Sequence, residues 1–122
     1  MLSFLFDEDT DGKLRRAVRR YNSLIPEAAI PVVRVGDPAA PPSGMLDPEV
    51  LAWAAENGLI LVTYDKATMG GHLADFLAAG HHSPGVLIIR NGSTIRVLVE
   101  ILALIAHAGA AEDYADQVNW IP

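Results

Sequence analysis

The chain has 122 residues and a net charge of −6, and it is 51% hydrophobic and 20% charged. These values exclude a disordered chain and predict one globular domain over residues 1–122, without a broad basic surface for nucleic acid. Cysteine is absent, which excludes disulfide frameworks and thiolate zinc sites and favours the cytoplasm, and we expect no membrane association because no apolar run approaches roughly 20 residues.

An acidic segment follows the first predicted strand. Residues 2–6 form a short apolar run, which predicts a strand buried on both faces, and Asp7-Glu8-Asp9-Thr10-Asp11-Gly12 comes directly after it. Apolar residues at helical spacing then predict a helix over about 11–22, with Asp11 as a charge of its first turn. The opposite arc of this helix is a basic face on an acidic chain, and it consists of Lys13, Arg15, Arg16, Arg19 and Arg20.

The middle of the chain predicts a strand, a loop and a helix. Residues 30–35 form the second predicted strand, and residues 36–44, with three prolines and two glycines, predict a loop. Asp47-Pro48-Glu49 predicts a helix start in which Asp47 is the N-cap and Pro48 takes the first helical position. Asn57-Gly58 predicts the end of this helix.

The second half of the chain alternates strands and helices. We predict a strand over 59–63, a helix over about 70–79, a strand over 85–90, a helix over about 94–108 and a short edge strand in the tail. This alternation predicts a three-layer α/β/α fold around a mostly parallel sheet of about four strands in the order 2-1-3-4. In that order the first and third strands are neighbours, and their carboxyl ends open into one crevice.

Carboxylates follow both of those strands. Asp7 comes directly after the first strand, and Asp65 lies two residues beyond the third. Converging carboxylates repel each other and shift each other's pKa unless a cation or a shared proton intervenes. We therefore predict a Mg²⁺ or Mn²⁺ site formed by Asp7 and Asp65 and completed by Asp47 or Glu49 from the helix start across the cleft. Such ions activate water and neutralise a scissile phosphate, which is the chemistry of a metal-dependent nuclease.

Two other interpretations of the acidic segment are weaker. A calcium loop of the EF-hand type needs a bidentate glutamate at its twelfth position, where this chain has Val18, and Arg15 occupies the ninth. A phosphatase of the haloacid-dehalogenase type is loosely similar in its Asp7-x-Asp9 spacing. That family needs a distal pair of acids after a later strand, where this chain has Ile89-Arg90-Asn91. A phosphatase is therefore a distant third interpretation.

Three motifs carry a family resemblance. The chain has Phe6-Asp7-Glu8-Asp9 after its first strand, Asp47-Pro48-Glu49-Val50-Leu51-Ala52-Trp53-Ala54 at a helix start and Leu61-Val62-Thr63-Tyr64-Asp65 at its third strand. In order and spacing these motifs resemble the PIN-domain superfamily, specifically a PIN-like branch associated with toxin–antitoxin modules. The resemblance implies a Mg²⁺- or Mn²⁺-dependent endoribonuclease, the toxin component of such a module. It also implies RNA as the substrate, a small antitoxin protein as a partner, and catalytic roles for Asp7, Asp65 and Asp47.

Further residues are assigned roles around this site. We predict that three residues support the metal ligands, namely Glu8, Asp9 and Thr63. The basic helix face is predicted to track an RNA backbone through Arg15, Arg16, Arg19 and Arg20. The histidines show no ligand spacing shared with an acid pair and are interpreted as loop and surface residues, namely His72, His81, His82 and His107.

One departure from the family pattern favours an alternative function. Many PIN nucleases carry a further acid two residues after the position of Asp65, where this chain has Ala67. The alternative is a PIN-like protein-interaction module with weak or no catalytic activity. The predicted helix over 94–108 is apolar around most of its circumference, which predicts burial on more than one side, either in a homodimer or under the C-terminal tail.

Overall fold

The structure, a computed structural model, describes residues 1–10 and 12–122, and Asp11, predicted to lie in a first helical turn, falls outside the described residues. Strands and helices alternate along the chain as the sequence predicts. They are β1 (Ser3–Phe6), α1 (Gly12–Leu24), β2 (Val32–Arg34), α2 (Asp47–Glu56), β3 (Leu59–Thr63), α3 (Met69–Ala78), β4 (Val86–Ile89), α4 (Ile95–Ala108) and β5 (Val118–Ile121). Short 3₁₀ turns lie at Pro26–Ala28 and Ala111–Asp113.

The strands form one parallel sheet in the order β2-β1-β3-β4-β5. The predicted order of the first four strands is confirmed, and the tail adds β5 at one edge. In the register of β1 and β3, Phe6 pairs with Val62, so both strands end at the same level. This register places Asp7 beside Thr63 at the carboxyl edge of the sheet.

Helices cover both faces of the sheet, which confirms the three-layer architecture. On one face, Phe6 packs in a cluster with Leu14 of α1 and Leu98 of α4. On the other face, Leu51 of α2 and Leu73 of α3 belong to a second cluster. Every residue of β3 and β4 is buried, because these central strands face a helical layer on each side.

The start of α2 differs from the prediction. Leu46, and not Asp47, is the N-cap, and its side chain makes no capping hydrogen bond. The backbone N–H groups of Glu49 and Val50 both donate to the Leu46 carbonyl, at 2.9 and 3.0 Å, so the helical hydrogen bonds begin one residue earlier than expected. Asp47 is therefore the first helical residue, and its carboxylate is not used as a cap.

The outer surface of α4 is only partly covered within the single chain. Leu98 and Leu102 are fully buried, but Leu104 is 66% exposed and Val97 is 38% exposed. The C-terminal tail contributes Tyr114 to the core cluster beneath the helix. Among the described residues, no helix combines the length and the apolar composition that a membrane crossing requires.

Candidate functional site

Residues 7–10 of the acidic segment fold back over the end of β3. The backbone N–H of Asp7 donates to the Val62 carbonyl at 3.0 Å, and the Thr10 hydroxyl donates to the same oxygen at 3.2 Å. The N–H of Thr10 also donates to the Asp7 carbonyl at 3.0 Å, which closes a turn over residues 7–10. This turn brings the side chains of Asp7 and Asp9 to Thr63, the last residue of β3.

The Thr63 hydroxyl lies between two carboxylates. Its Oγ1 is 3.1 Å from Asp7 Oδ2 and 3.2 Å from each carboxylate oxygen of Asp9. The same Oγ1 accepts a hydrogen bond from the Asp65 N–H at 3.0 Å. Because a hydroxyl has one proton to donate, it cannot satisfy both carboxylates at once. We call Asp7, Asp9 and Thr63 the Thr63 cluster.

Burial and mutual repulsion oppose ionisation of the cluster. Desolvation is the largest cause that raises the pKa of Asp7 to about 6, and the charges of Asp9 and Asp47 add to it. Hydrogen bonds from the Glu8 N–H and the Thr63 hydroxyl only partly offset this rise. Desolvation also raises the pKa of Asp9, with further contributions from Asp65 and Asp47. The cluster therefore favours a bound cation or, below about pH 6, a proton on Asp7.

Asp65 closes the turn that leads into α3. Its carboxylate accepts hydrogen bonds from the Ala67 N–H at 3.1 Å, from the Thr68 N–H at 2.9 Å and from the Thr68 hydroxyl. The Thr68 hydroxyl is the largest cause that holds the pKa of Asp65 below its usual range. These bonds involve both carboxylate oxygens of Asp65, although its charge still raises the pKa of Asp9. The role of Asp65 as a metal ligand therefore stays a prediction.

His72 lies close to the acids, which the sequence analysis did not foresee. Its Nε2 is 3.7 Å from Asp47 Oδ2, and its charge helps to lower the pKa of Asp65. The sequence feature that could have located His72 near the acids is its position in the first turn of α3, directly after the Asp65 turn. Glu49, by contrast, is exposed, and no described residue forms a hydrogen bond or ion pair with its side chain. The charges of Asp47 and Asp65 therefore reach the Thr63 cluster, and the role of Glu49 as a metal ligand stays a prediction.

The neighbouring loop engages Glu8. Its carboxylate accepts a hydrogen bond from the Gly44 N–H, and the Arg34 guanidinium donates to the carbonyls of Glu8 and Thr10, at 3.2 and 3.3 Å. These bonds tie the acidic segment to residues 34–44. Glu8 thus supports the backbone that presents Asp7 and Asp9.

The four arginines of α1 are not equivalent. Arg15 donates to Asp37 at 2.7 Å, and its side chain is only 15% exposed. Arg16, Arg19 and Arg20 are exposed. The predicted RNA contact of Arg15 therefore competes with an ion pair, and the other three arginines remain on the surface.

The donor set of the Thr63 cluster fits a hard divalent cation. Within residues 1–10 and 12–122, no three Asp, Glu or His side chains are arranged to hold one ion together. However, Mg²⁺ is usually bound by one or two carboxylates, with water and substrate phosphate completing its octahedral shell. Asp7 and Asp9 supply such a pair, and the nearby charges of Asp47 and Asp65 add to the negative potential.

Comparison of the chain with protein-family models, curated proteins and solved structures gave no match. The resemblance to PIN-like proteins therefore stays a prediction.

Proposed function

We propose that this protein is a divalent-metal-dependent endoribonuclease, the toxin component of a toxin–antitoxin pair in the cytoplasm. The observation that carries the proposal is the Thr63 cluster, where two carboxylates share one hydroxyl and burial raises the pKa of both. Asp7 and Asp9 would hold Mg²⁺ or Mn²⁺, with Asp47 and Asp65 beside them. The bound ion supplies Lewis-acid chemistry for phosphodiester hydrolysis.

The basic face of α1 supports RNA as the substrate. This helix begins at Gly12, shortly after Asp9, so its first turns start close to the cluster. Arg16 lies roughly 6 Å along the helix axis from Gly12, and Arg19 follows about one turn later. Exposed guanidinium groups at these distances are suited to phosphates of a chain that enters the acidic site.

The alternative is a protein-interaction module without catalysis. Below about pH 6, a proton on Asp7 would relieve the repulsion without any metal. In addition, Ala67 replaces the further acid of many PIN nucleases. In either case we propose a small antitoxin protein as one partner. A homodimer formed through α4 remains a separate prediction.

A cleavage assay separates the two functions. We expect purified protein to cut a fluorescently labelled single-stranded RNA in Mn²⁺ or Mg²⁺ and not in EDTA. Asp7→Asn should lower the rate by about 10²-fold or more, because it removes charge from the site. Asp75→Asn, an exposed acid of α3, is the matched control and should cleave like the wild type.

Two outcomes would overturn the nuclease proposal. Cleavage that persists in EDTA or in Asp7→Asn would come from another source, such as a copurified nuclease. No cleavage with either metal, from protein that is folded by circular dichroism, would favour the interaction module.

A further inference from the structure

We propose that the groove between α1 and α4 binds an acidic amphipathic helix of a partner protein. This inference goes beyond the proposed nuclease, since it does not depend on the Thr63 cluster. The groove has a volume of about 480 Å³. We call its buried or half-buried apolar lining residues, Ala17, Tyr21 and Val99, the floor of the groove. The two helices are its walls, and Arg20 of α1 and Arg96 of α4 belong to them.

The groove leaves large apolar side chains without cover. Leu24 lines it at the end of α1 and is 69% exposed, and the adjacent Ile25 is 37% exposed. In contrast, Val99 on the floor is only 8% exposed. Apolar side chains that are exposed at the rim of an apolar groove mark a surface that a partner covers.

The charges around the groove select an acidic partner. The charged residues that line it are Arg20, Arg96 and Glu100, so the lining is net positive, whereas the whole chain has a net charge of −6. No described residue forms an ion pair or side-chain hydrogen bond with the Arg20 guanidinium. Arg96 pairs only with Glu100 of its own helix, at 3.3 Å, and both side chains are mostly exposed. Such a pair contributes little to stability, so Arg96 is available to a carboxylate of a partner.

A helical peptide explains these features better than other occupants. RNA would use the arginines but not the apolar floor. A second copy related by a two-fold axis would present the same net positive lining, so like charges would face each other across the interface. Small molecules prefer sites that enclose most of their surface, whereas this groove is open along two helices. An amphipathic helix lays apolar side chains into such a groove and places its acids against the walls.

The test begins with selection of peptides by the protein itself. A phage-displayed library of random peptides, each about 16 residues long and so able to form four helical turns, is selected on the wild type and depleted on Leu24→Glu. We expect the enriched peptides to be net acidic, with apolar residues at helical spacing. One enriched peptide is then synthesised with a fluorescent label, and its Kd is measured by anisotropy.

Leu104 provides a matched control for Leu24. Both leucines are exposed, at 66% and 69%, but Leu104 does not line the groove. We expect Leu24→Glu and Arg20→Glu each to raise the Kd by about tenfold or more, and Leu104→Glu to change it less than about twofold. Circular dichroism checks that each variant folds, and replacing the acids of the peptide by lysine should abolish binding.

Several outcomes would overturn the proposal. They are an empty selection, enriched peptides that are basic or lack helical spacing, and a Kd that Leu24→Glu leaves unchanged. An equal loss in Leu104→Glu would show that binding does not use the groove. A wild-type dimer that only Leu24→Glu dissociates in light scattering would show that a second copy occupies it instead.

Discussion

Asp7 places a carboxylate where burial and neighbouring charges oppose its ionisation. Its pKa rises from 3.8 to about 6 on folding. Between these two values the folded state keeps a proton that the unfolded chain has released, so the free energy of unfolding falls as pH rises from about 4 to about 6 and is level above. The metal-free protein therefore retains a destabilising charge at neutral pH.

We predict that Asp7→Asn stabilises the metal-free protein at pH 7.5. The raised pKa of Asp7 corresponds to ~3 kcal/mol, which we reduce to about 1–2 kcal/mol because solvent screens the open side of the cleft. Asparagine can still accept from the Glu8 N–H, and its amide can donate to the Thr63 hydroxyl. Urea denaturation in EDTA, at pH 4 and pH 7.5, measures the difference between the variant and the wild type.

The stability gain should be absent at pH 4, where the folded wild type already carries the proton. Asp75→Asn should match the wild type at both pH values, because that acid is exposed on α3. A variant that is equally or less stable than the wild type at pH 7.5 would contradict the electrostatic account of the cluster.

Sequence reasoning identified some site residues and missed others for a physical reason. Asp7 and Thr63 are recognisable because each lies where an apolar run ends at the edge of a parallel sheet. The contact of Asp9 with Thr63 depends on the turn over residues 7–10, which backbone hydrogen bonds set. The position of His72 depends on how α3 leaves the Asp65 turn. Neither contact follows from spacing along the chain.

At the level of elements, the strands were the easiest to predict. The observed β3 spans Leu59–Thr63, as predicted, because a run buried on both faces is apolar throughout. The capping residue of a helix was harder to predict, since it depends on which carbonyl accepts the first helical hydrogen bond. At α2, Asp47 has a side chain that could accept a capping hydrogen bond, but the residue at the N-cap position is Leu46.

This difference leads to a stability prediction for α2. We expect Leu46→Ser to stabilise the protein by about 0.5–1 kcal/mol, because serine would accept a hydrogen bond from the Glu49 N–H. Serine at this position with Glu49 three residues later also forms a capping box. Leu46 is 67% exposed, so its removal costs little burial. Thermal unfolding followed by circular dichroism measures the gain.

Leu46→Ala is the control for the loss of the leucine side chain, and it should be no more stable than the wild type. Asp47→Ala should not lose capping energy, since Asp47 is already inside the helix. If Asp47→Ala lowered the free energy of unfolding by about 1 kcal/mol and Leu46→Ser did not raise it, Asp47 would be the N-cap and this prediction would be wrong.

At the scale of the whole molecule, the topology followed from the alternation of strands and helices. Right-handed crossovers and short connections leave few arrangements, and the order of four strands was among them. The apolar circumference of α4 is explained only in part by burial against the sheet, because Leu104 and Val97 remain exposed. The sequence pattern could not distinguish a buried helix from one with an uncovered outer face.

We predict that the exposed face of α4 forms a weak homodimer. A standard interface buries about 800 Å² of surface on each partner, and two exposed apolar side chains can bury far less than this. The dimer should therefore dissociate on dilution. Leu104→Glu should be monomeric at concentrations where the wild type dimerises, and Leu24→Glu should dimerise normally. Sedimentation velocity over a range of concentrations measures the association state of each variant. A strictly monomeric wild type would contradict the predicted dimer.

Metal binding connects the cluster to the stability of the whole chain. We predict that Mn²⁺ raises the Tm of the wild type, because an ion that binds only the folded state stabilises it by about 2.7 kcal/mol at a hundredfold excess over Kd. For a chain of this length the rise in Tm is ~8 °C. The rise should shrink at pH 5, where protons compete for Asp7.

Asp7→Asn separates a metal site from a general effect of Mn²⁺ on stability. In EDTA at pH 7.5 this variant should melt above the wild type, since it lacks the buried charge. In Mn²⁺ it should melt at or below the wild type, since it has lost a ligand. Only a site in which Asp7 both repels its neighbours and binds the cation predicts this reversal. An equal rise in Tm for Asp7→Asn and the wild type would place the ion elsewhere.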